Sequence, residues 1–295
     1  MLYQNYYGTI RQKLTNPKGV RINGVYGMLK KLLGIINDAR YDGIAVLWDH
    51  PSPTIRHMQF PLYKANRSTT PDDLRPQFEI ARQAVEACQV KQLELPSFEA
   101  DDIIATFSHR LSKYNVEVEI MTGDKDLFQL VNSHVVWRGL KDDLVYDVDA
   151  VVKRYGVSPK RIPDLFALVG DAADNLPGVP SIGVVRGKSL LQEFESVENI
   201  VNLCKNNSRS SLEKMKNGKL LSVVQNYLEN KHPDTISLEL AVELNTLVTD
   251  IKEVELEAED ILHHCKYPTL PQSRKELKGT PLNDFLEEHG FKSLQ

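Results

Sequence analysis

Disulfides have little to work with in this 295-residue chain. Its three cysteines, Cys88, Cys204 and Cys265, are widely spaced and odd in number. That argues against a disulfide framework and for a reducing compartment. Long apolar runs are missing too. Even the longest, Ile44 to Trp48 among them, fall far short of the roughly 20 residues a membrane helix needs. The opening Met1-Leu2-Tyr3-Gln4-Asn5 has no basic start and no long apolar core, so no secretory signal is expected. No internal repeat and no extended low-complexity tract is evident. A basic surplus is also lacking, since the formal net charge is −4. The sum speaks against nucleic acid, but the distribution of charge counts for more. His263-His264-Cys265 resembles a fragment of a metal site, has no matching pair elsewhere, and reads as a helix end.

What is present is ordinary globular material: 41% hydrophobic and 26% charged residues, enough for one large core or a core plus a satellite. Gly43 to Asp49 is a short apolar run ending in an acid, the pattern of a buried parallel strand. Alternation of β-branched and acidic residues over 117–122 predicts a second strand, and His134 to Trp137 a weaker third. Helical patterns lie between them at about 24–38, 72–89 and 99–114. Pro71-Asp72-Asp73 opens one of these with an acidic first turn. Strands alternating with helices of this length predict an α/β fold with a parallel sheet. Beyond about residue 149 the strand signals fade. Helices are expected at 149–155, 159–169, 186–195, 197–206 and 211–229, with a polar loop from Lys205 to Ser211. A turn-rich run, Asn175 to Gly183, interrupts them. The division expected is an N-terminal lobe, 1–148, and a helical lobe, 149–295.

Acids recur at predicted strand ends. Asp49 ends the first strand. Glu99, Asp101 and Asp102 open a helix, Asp124 and Asp126 follow the strand ending at Thr122, and Asp171 and Asp174 lie in Gly170 to Asn175. In open α/β sheets ligands collect at the carboxyl ends of strands. Three clusters meet there, and the helical lobe has to bring the fourth. Gathered carboxylates raise one another's pKa. Hard divalent ions with oxygen ligands relieve that repulsion, and two ions about 4 Å apart can clamp the attacking and leaving oxygens of a phosphodiester. Each cluster taken alone also has a local explanation, a helix N-terminus or a turn. With eight acids matched by metal, the −4 becomes +4 on the remaining surface, which is compatible with DNA.

At these residues the sequence resembles the 5′-nuclease (flap endonuclease) family, most closely the 5′–3′ exonuclease domain of bacterial DNA polymerase I. The matching strings are Tyr63-Lys64-Ala65-Asn66-Arg67 with Pro71-Asp72-Asp73-Leu74, Glu99-Ala100-Asp101-Asp102, Thr122-Gly123-Asp124-Lys125-Asp126, Gly170-Asp171 to Asp174-Asn175, and Pro177-Gly178-Val179-Pro180. Their order and spacing match across about residues 1–290, and five motifs in order are far more specific than any one.

The resemblance implies a PIN-like, mostly parallel sheet flanked by helices, a helical arch at about 57–90, and a C-terminal helical lobe with a helix–three-turn–helix element. It implies a structure-selective 5′–3′ exonuclease and flap endonuclease hydrolysing DNA by two-metal-ion catalysis, in primer removal, replication and repair. Two Mg2+ ions, replaceable by Mn2+, would be held by Asp49, Glu99, Asp101, Asp102, Asp124, Asp126, Asp171 and Asp174. Tyr63, Lys64 and Arg67 would sit at the base of the arch, with Lys64 and Arg67 at i and i+3 of a helix facing one phosphate. Gly178, Val179, Ser181, Gly183, Arg186, Lys188, Arg56 and Gln4 would contact DNA, and K+ would sit at the helix–three-turn–helix element. The expected partner is DNA with a 5′ flap, nick or 5′ end, bound by a monomer in a bacterial or phage-type cytoplasm, with an organellar location left open.

Three departures stand out. The family begins with a buried strand ending in a metal-binding Asp, whereas Met1-Leu2-Tyr3 aligns within the helix that follows, so a start upstream is expected. Gln4 replaces a phosphate-contacting arginine. Val184-Val185-Arg186-Gly187 replaces Glu-Lys-Thr-Ala, leaving Arg186 or Lys188 to stand in for the lysine. These departures motivate an alternative, a catalytically weakened or inactive DNA-junction binder.

Overall fold

A computed structural model of the chain describes residues 1–38, 40–229, 236–252, 254, 261 and 274–294. The His263-His264-Cys265 run lies outside the described residues. The packing forms two compact units that cross the expected 148/149 division. One comprises the described residues of Met1–Asp49, Ser68–Leu95 and Glu255–Gln295, the other His50–Arg67 and Pro96–Val254.

The first unit contains α1 (Leu2–Gly8), α2 (Asn23–Ile36), β1 (Ala45–Leu47), α4 (Arg75–Ala87) and β2 (Lys91–Leu93), with a further helix at Pro281–Glu288. β1 and β2 pair in parallel, Ala45 opposite Lys91. Apolar residues at helical spacing on α2, Val25, Met28, Leu29, Leu32 and Ile36, are buried with Ile80, Ala81, Ala84 and Val85 of α4. Burying an apolar stripe in this way supplies most of a helix's stability. The start of α2 has no side-chain cap of its own. The buried Gln77 of α4 supplies one, its Oε1 accepting from Gly24 N at 2.9 Å and Val25 N at 3.3 Å.

The second unit contains α3 (Ile55–Gln59), α5 (Ala100–Lys113), β3 (Val118–Thr122), β4 (Val135–Gly139), β5 (Val145–Tyr146), α6 (Val148–Tyr155), α7 (Ile162–Val169), α8 (Val184–Phe194), α9 (Val197–Asn206), α10 (Arg209–Leu212), α11 (Gly218–Glu229) and α12 (Leu238–Asn245). β3 and β4 are parallel, and β5 returns antiparallel on β4. Parallel pairing thus dominates, as the α/β expectation requires. The core runs from Ile120, Phe128 and Trp137 through Leu165, Leu168 and Leu190 to Leu221 and Leu244. Among the described residues no helix is long and apolar enough to cross a membrane.

Several sequence expectations are corrected. The run expected as one helix over 211–229 is α10 and α11, broken between Leu212 and Gly218, so α10 also falls partly in the expected polar loop. A Cβ on Gly218 would stand 2.3 Å from Leu212 O, and only glycine lets the chain fold back so closely. Over about 57–90, where the arch is expected, the chain is not one regular helix. It is the end of α3, hydrogen-bonded turns over Pro61–Asn66, a stretch without regular structure, and α4, whose apolar face lies in the first unit's core.

Candidate metal centre

All the site geometry below lies within the second unit. α5 is entered through Glu99 at its N-cap, and Glu99 and Asp102 form a reciprocal capping box. The three-residue spacing of Glu99 and Asp102 is therefore first a device for satisfying free N–H groups. Asp102 is fully buried. Its Oδ2 and Oδ1 accept from the Arg56 guanidinium at 2.7 and 2.8 Å, and from Glu99 N at 3.2 Å and Val248 N at 3.0 Å. Arg56, only 3% exposed, also donates to Leu244 O at 2.9 Å and Thr246 O at 3.1 Å. Burial works against its charge, but the Asp102 hydrogen bonds and the Asp102 and Glu99 charges outweigh it and raise its pKa above the ordinary value. Two expectations are corrected here. Asp102 is saturated by donors and does not offer an open ligand, and Arg56 is too buried to touch DNA.

Three of the candidate acids of this unit converge. Asp126, Asp171 and Asp174 each present a carboxylate oxygen within 4.8 Å of the others. Asp126 is pushed well above the usual carboxylate range, first by burial and then by the charges of Asp124, Asp171, Asp174 and Asp101. Asp171 is raised too, by burial first, with Asp174 and Asp124 adding to it. Asp124 and Asp126 sit in the turn after β3, where Asp124 Oδ1 accepts from Asp126 N at 3.1 Å. Asp171 and Asp174 sit in a closed loop after α7, pinned by two backbone hydrogen bonds between Asp171 and Leu176, 2.9 and 2.8 Å long.

A turn from Pro61 to Arg67 packs over this loop. Lys64 N donates to Asp174 O at 2.9 Å, Asn175 Nδ2 to Leu62 O at 2.7 Å, and Asn66 Nδ2 to Ala172 O at 2.7 Å. The Tyr63 hydroxyl lies 2.7 Å from Asp174 Oδ2 and 3.0 Å from Glu99 Oε2, so one proton serves two carboxylates. Burial first, then those two charges, raise its pKa. Lys64 Nζ stands 2.5 Å from Glu99 Oε1 and 3.7 Å from Asp174 Oδ2. Arg67 donates to Asp174 Oδ1 at 2.7 Å. The expected i, i+3 helix is corrected, because Lys64 has φ 56° and the segment is a turn. Both cations still reach the Asp174 carboxylate.

Asp49 and Gln4 belong to the other unit, Asp49 after β1 and Gln4 exposed on α1. They are not among the residues gathered within the second unit. The expected DNA-contacting loop joins α7 to α8. Here Gly178 and Gly170 let two backbones touch, since a Cβ on Gly178 would lie 2.2 Å from Val169 C. Val179 N donates to Leu168 O at 2.9 Å and Val179 is buried. Ser181 and Gly183 are exposed. Arg186 donates to Ser181 O at 2.6 Å. The Lys188 stem crosses Gly156, where a Cβ would meet it, and Gly156 is the left-handed C-cap of α6.

Chemically, the cluster is a set of hard oxygen donors whose charges repel, the donor type that suits a hard divalent cation. Residues 1–156 match the model for the 5′–3′ exonuclease N-terminal resolvase-like domain, and residues 157–267 that for the 5′–3′ exonuclease C-terminal SAM fold. The chain belongs to the 5′–3′ exonuclease family. A 5′–3′ exonuclease of Aquifex aeolicus is 33% identical over 93% of this chain and 88% of its own length. DNA polymerase I of Bacillus caldotenax is 36% identical over 73% of this chain, which spans 24% of that polymerase. A crystal structure of the bacteriophage T5 flap endonuclease, a pseudo-enzyme-product complex with DNA and metal ions, shares the fold. Its TM-score is 0.60 at 18% identity, covering 92% of this chain and 91% of that one.

For this exonuclease-family chain the sequence motifs located the acids, and the ties between them went unseen. Asn66, Asn175 and Gln129 hold the acidic loops by side-chain amides. The Gln129 amide donates to Asp126 O and Asn245 O, both at 2.9 Å. Asn175 carried a usable signal, since a positive φ of 58° in an Asp-Asn turn is where asparagine is tolerated. Gln129 carried none, because its partner Asn245 is more than a hundred residues away.

Proposed function

We propose that this chain is a structure-selective 5′–3′ exonuclease and flap endonuclease that hydrolyses DNA phosphodiesters with two bound Mg2+ ions, Mn2+ substituting. It would act as a monomer on 5′ flaps, nicks and 5′ ends in primer removal and repair, in a bacterial-type cytoplasm. K+ at the α7–α8 loop is part of the same reading. The observation that carries it is the convergence of Asp126, Asp171 and Asp174, with Asp101 and Asp124 acting on Asp126, beside Tyr63, Lys64 and Arg67.

When bound, the metal would activate water and stabilise the departing 3′ oxygen. Glu99, Asp101, Asp124, Asp126, Asp171 and Asp174 would hold it. Tyr63 orients Glu99 and Asp174. Lys64 and Arg67, which pair with acids of the same cluster, would stabilise charge building on the scissile phosphate. Removing one such preorganised partner typically costs on the order of 10²–10³ in rate.

The test is cleavage of a 5′-flap duplex in Mg2+. Wild type should cut and lose activity in EDTA, Asp124→Ala should be inactive, and Lys64→Ala should lose about 10²-fold or more in kcat. Flap binding without turnover in either Mg2+ or Mn2+ would instead establish the junction-binding alternative.

A further inference from the structure

Trp137 lies in the middle of β4, between Ile120 of β3 and Tyr146 of β5, and supplies no ligand. Its indole Nε1–H nevertheless donates to Asp124 O at 2.8 Å. Its ring lies 4.6 Å from Phe128, centroid to centroid. Phe128 is fully buried two residues beyond Asp126. Tyr146 closes on both rings, 5.0 Å from Phe128 and 5.3 Å from Trp137. The Arg154 guanidinium lies over Phe128, Tyr146 and Tyr155, at 5.7, 5.2 and 5.4 Å. The Asp124–Asp126 turn is therefore gripped on both sides, by a hydrogen bond at Asp124 and by a packed ring just after Asp126.

The grip has a physical purpose. Carboxylate oxygens of Asp126, Asp171 and Asp174 lie within 4.8 Å of one another, and like charges so close repel, so an unrestrained turn would relax by swinging its acids apart into solvent. A turn held in place keeps them together and spares an arriving cation the cost of ordering them. We infer that Trp137 is a positioning residue for the Asp124–Asp126 turn, its indole N–H setting the affinity of this chain for the divalent ion. The inference rests on reading the acidic cluster as a divalent-cation site.

Trp137→Phe keeps an aromatic ring against Phe128 and deletes only the N–H donor. Calorimetric titration of the full chain with MnCl2, well below the melting temperature, should give a dissociation constant about fivefold weaker for Trp137→Phe, the size expected for one net hydrogen bond. At limiting Mg2+ its kcat on flap DNA should fall and recover with excess Mg2+, while KM for DNA stays put. A role in stability alone would lower the melting point in EDTA and leave the manganese constant untouched, and that result overturns the inference. Should the variant fail to fold, the wild-type indole N–H resonance decides. The chain has two tryptophans, so two such signals are expected. The Trp137 signal should shift and exchange more slowly with solvent as Mg2+ binds, and an unmoved signal overturns the inference. No manganese binding by wild type would remove both the metal reading and this one. Equal binding by wild type and variant removes this one alone.

Discussion

At Arg56 the rigid guanidinium fork, itself buried, makes four hydrogen bonds. Two bonds go to Asp102 and two to backbone carbonyls at 244 and 246. The pair thereby ties the start of α5, which carries Glu99 and Asp101, to the end of α12 and the residue after it. Cutting one partner from such a pair leaves the other charged and buried, which typically costs about 3–5 kcal/mol. Arg56→Ala should therefore lose about that much in urea unfolding. Asp102→Ala should lose a similar amount, and the double variant much less than the sum. A loss below about 1 kcal/mol, or simple additivity, would show that the pair is not the tie described. The sequence could not reveal this, because Asp102 and the carbonyls at 244 and 246 are remote from Arg56 along the chain. The family resemblance suggested DNA contact, and only the 3% exposure of Arg56 excludes it.

Among the elements, the loop between α7 and α8 depends most on residue size. Gly178 presses against the end of α7, with Val169 C and Gly170 N within 2.4 Å of where a Cβ would stand. Gly183, at the N-cap of α8, faces open space with φ −95°. Gly178→Ala must move backbone, so we expect a loss of about 1–3 kcal/mol together with weaker flap binding. Gly183→Ala should change stability by no more than about 0.5 kcal/mol. Urea melts and fluorescence anisotropy on a labelled flap would check both, and equal effects at the two glycines would discredit the close-approach account. The Pro-Gly spacing showed that a tight element lay here, because glycine and proline act through local backbone rules. The strands at 43–49, 117–122 and 134–137 were legible for the same reason, as local β-branched patterns. β2 and β5, with three and two residues, are too short to carry a pattern and exist only through their neighbours. The turn at Lys64 was misread as a helix because its helix-compatible composition is overruled by backbone bonds to Asp174 and side-chain bonds to Leu62 and Ala172.

Over the whole molecule, the acid cluster sets charge repulsion against folding in the absence of metal. Asp126 and Asp171 have raised pKa values in the folded chain. Between the ordinary carboxylate range and those raised values the folded state binds more protons than the unfolded state. Stability of the metal-free protein therefore falls as pH climbs through that window. The contribution is fully favourable below the unfolded value of about 3.9 and is lost by the time pH passes the folded one. A bound cation replaces the lost protons and adds stability in proportion to RT ln(1 + [L]/Kd), about 2.7 kcal/mol at a hundredfold excess over Kd. Asp126→Asn removes one of the repelling charges. In EDTA at neutral pH the variant should melt above wild type, and the gap should narrow towards about pH 4. Saturating Mn2+ should raise wild type by several degrees, at roughly 2–4 °C per kcal/mol for a body of this size, and raise Asp126→Asn much less, reversing the order. Differential scanning fluorimetry over a grid of pH and metal concentration reads all of this at once. A variant that melts below wild type in EDTA at neutral pH would mean that Asp126 stabilises the metal-free fold, and the carboxylates would then have no unmet charge for a cation to satisfy.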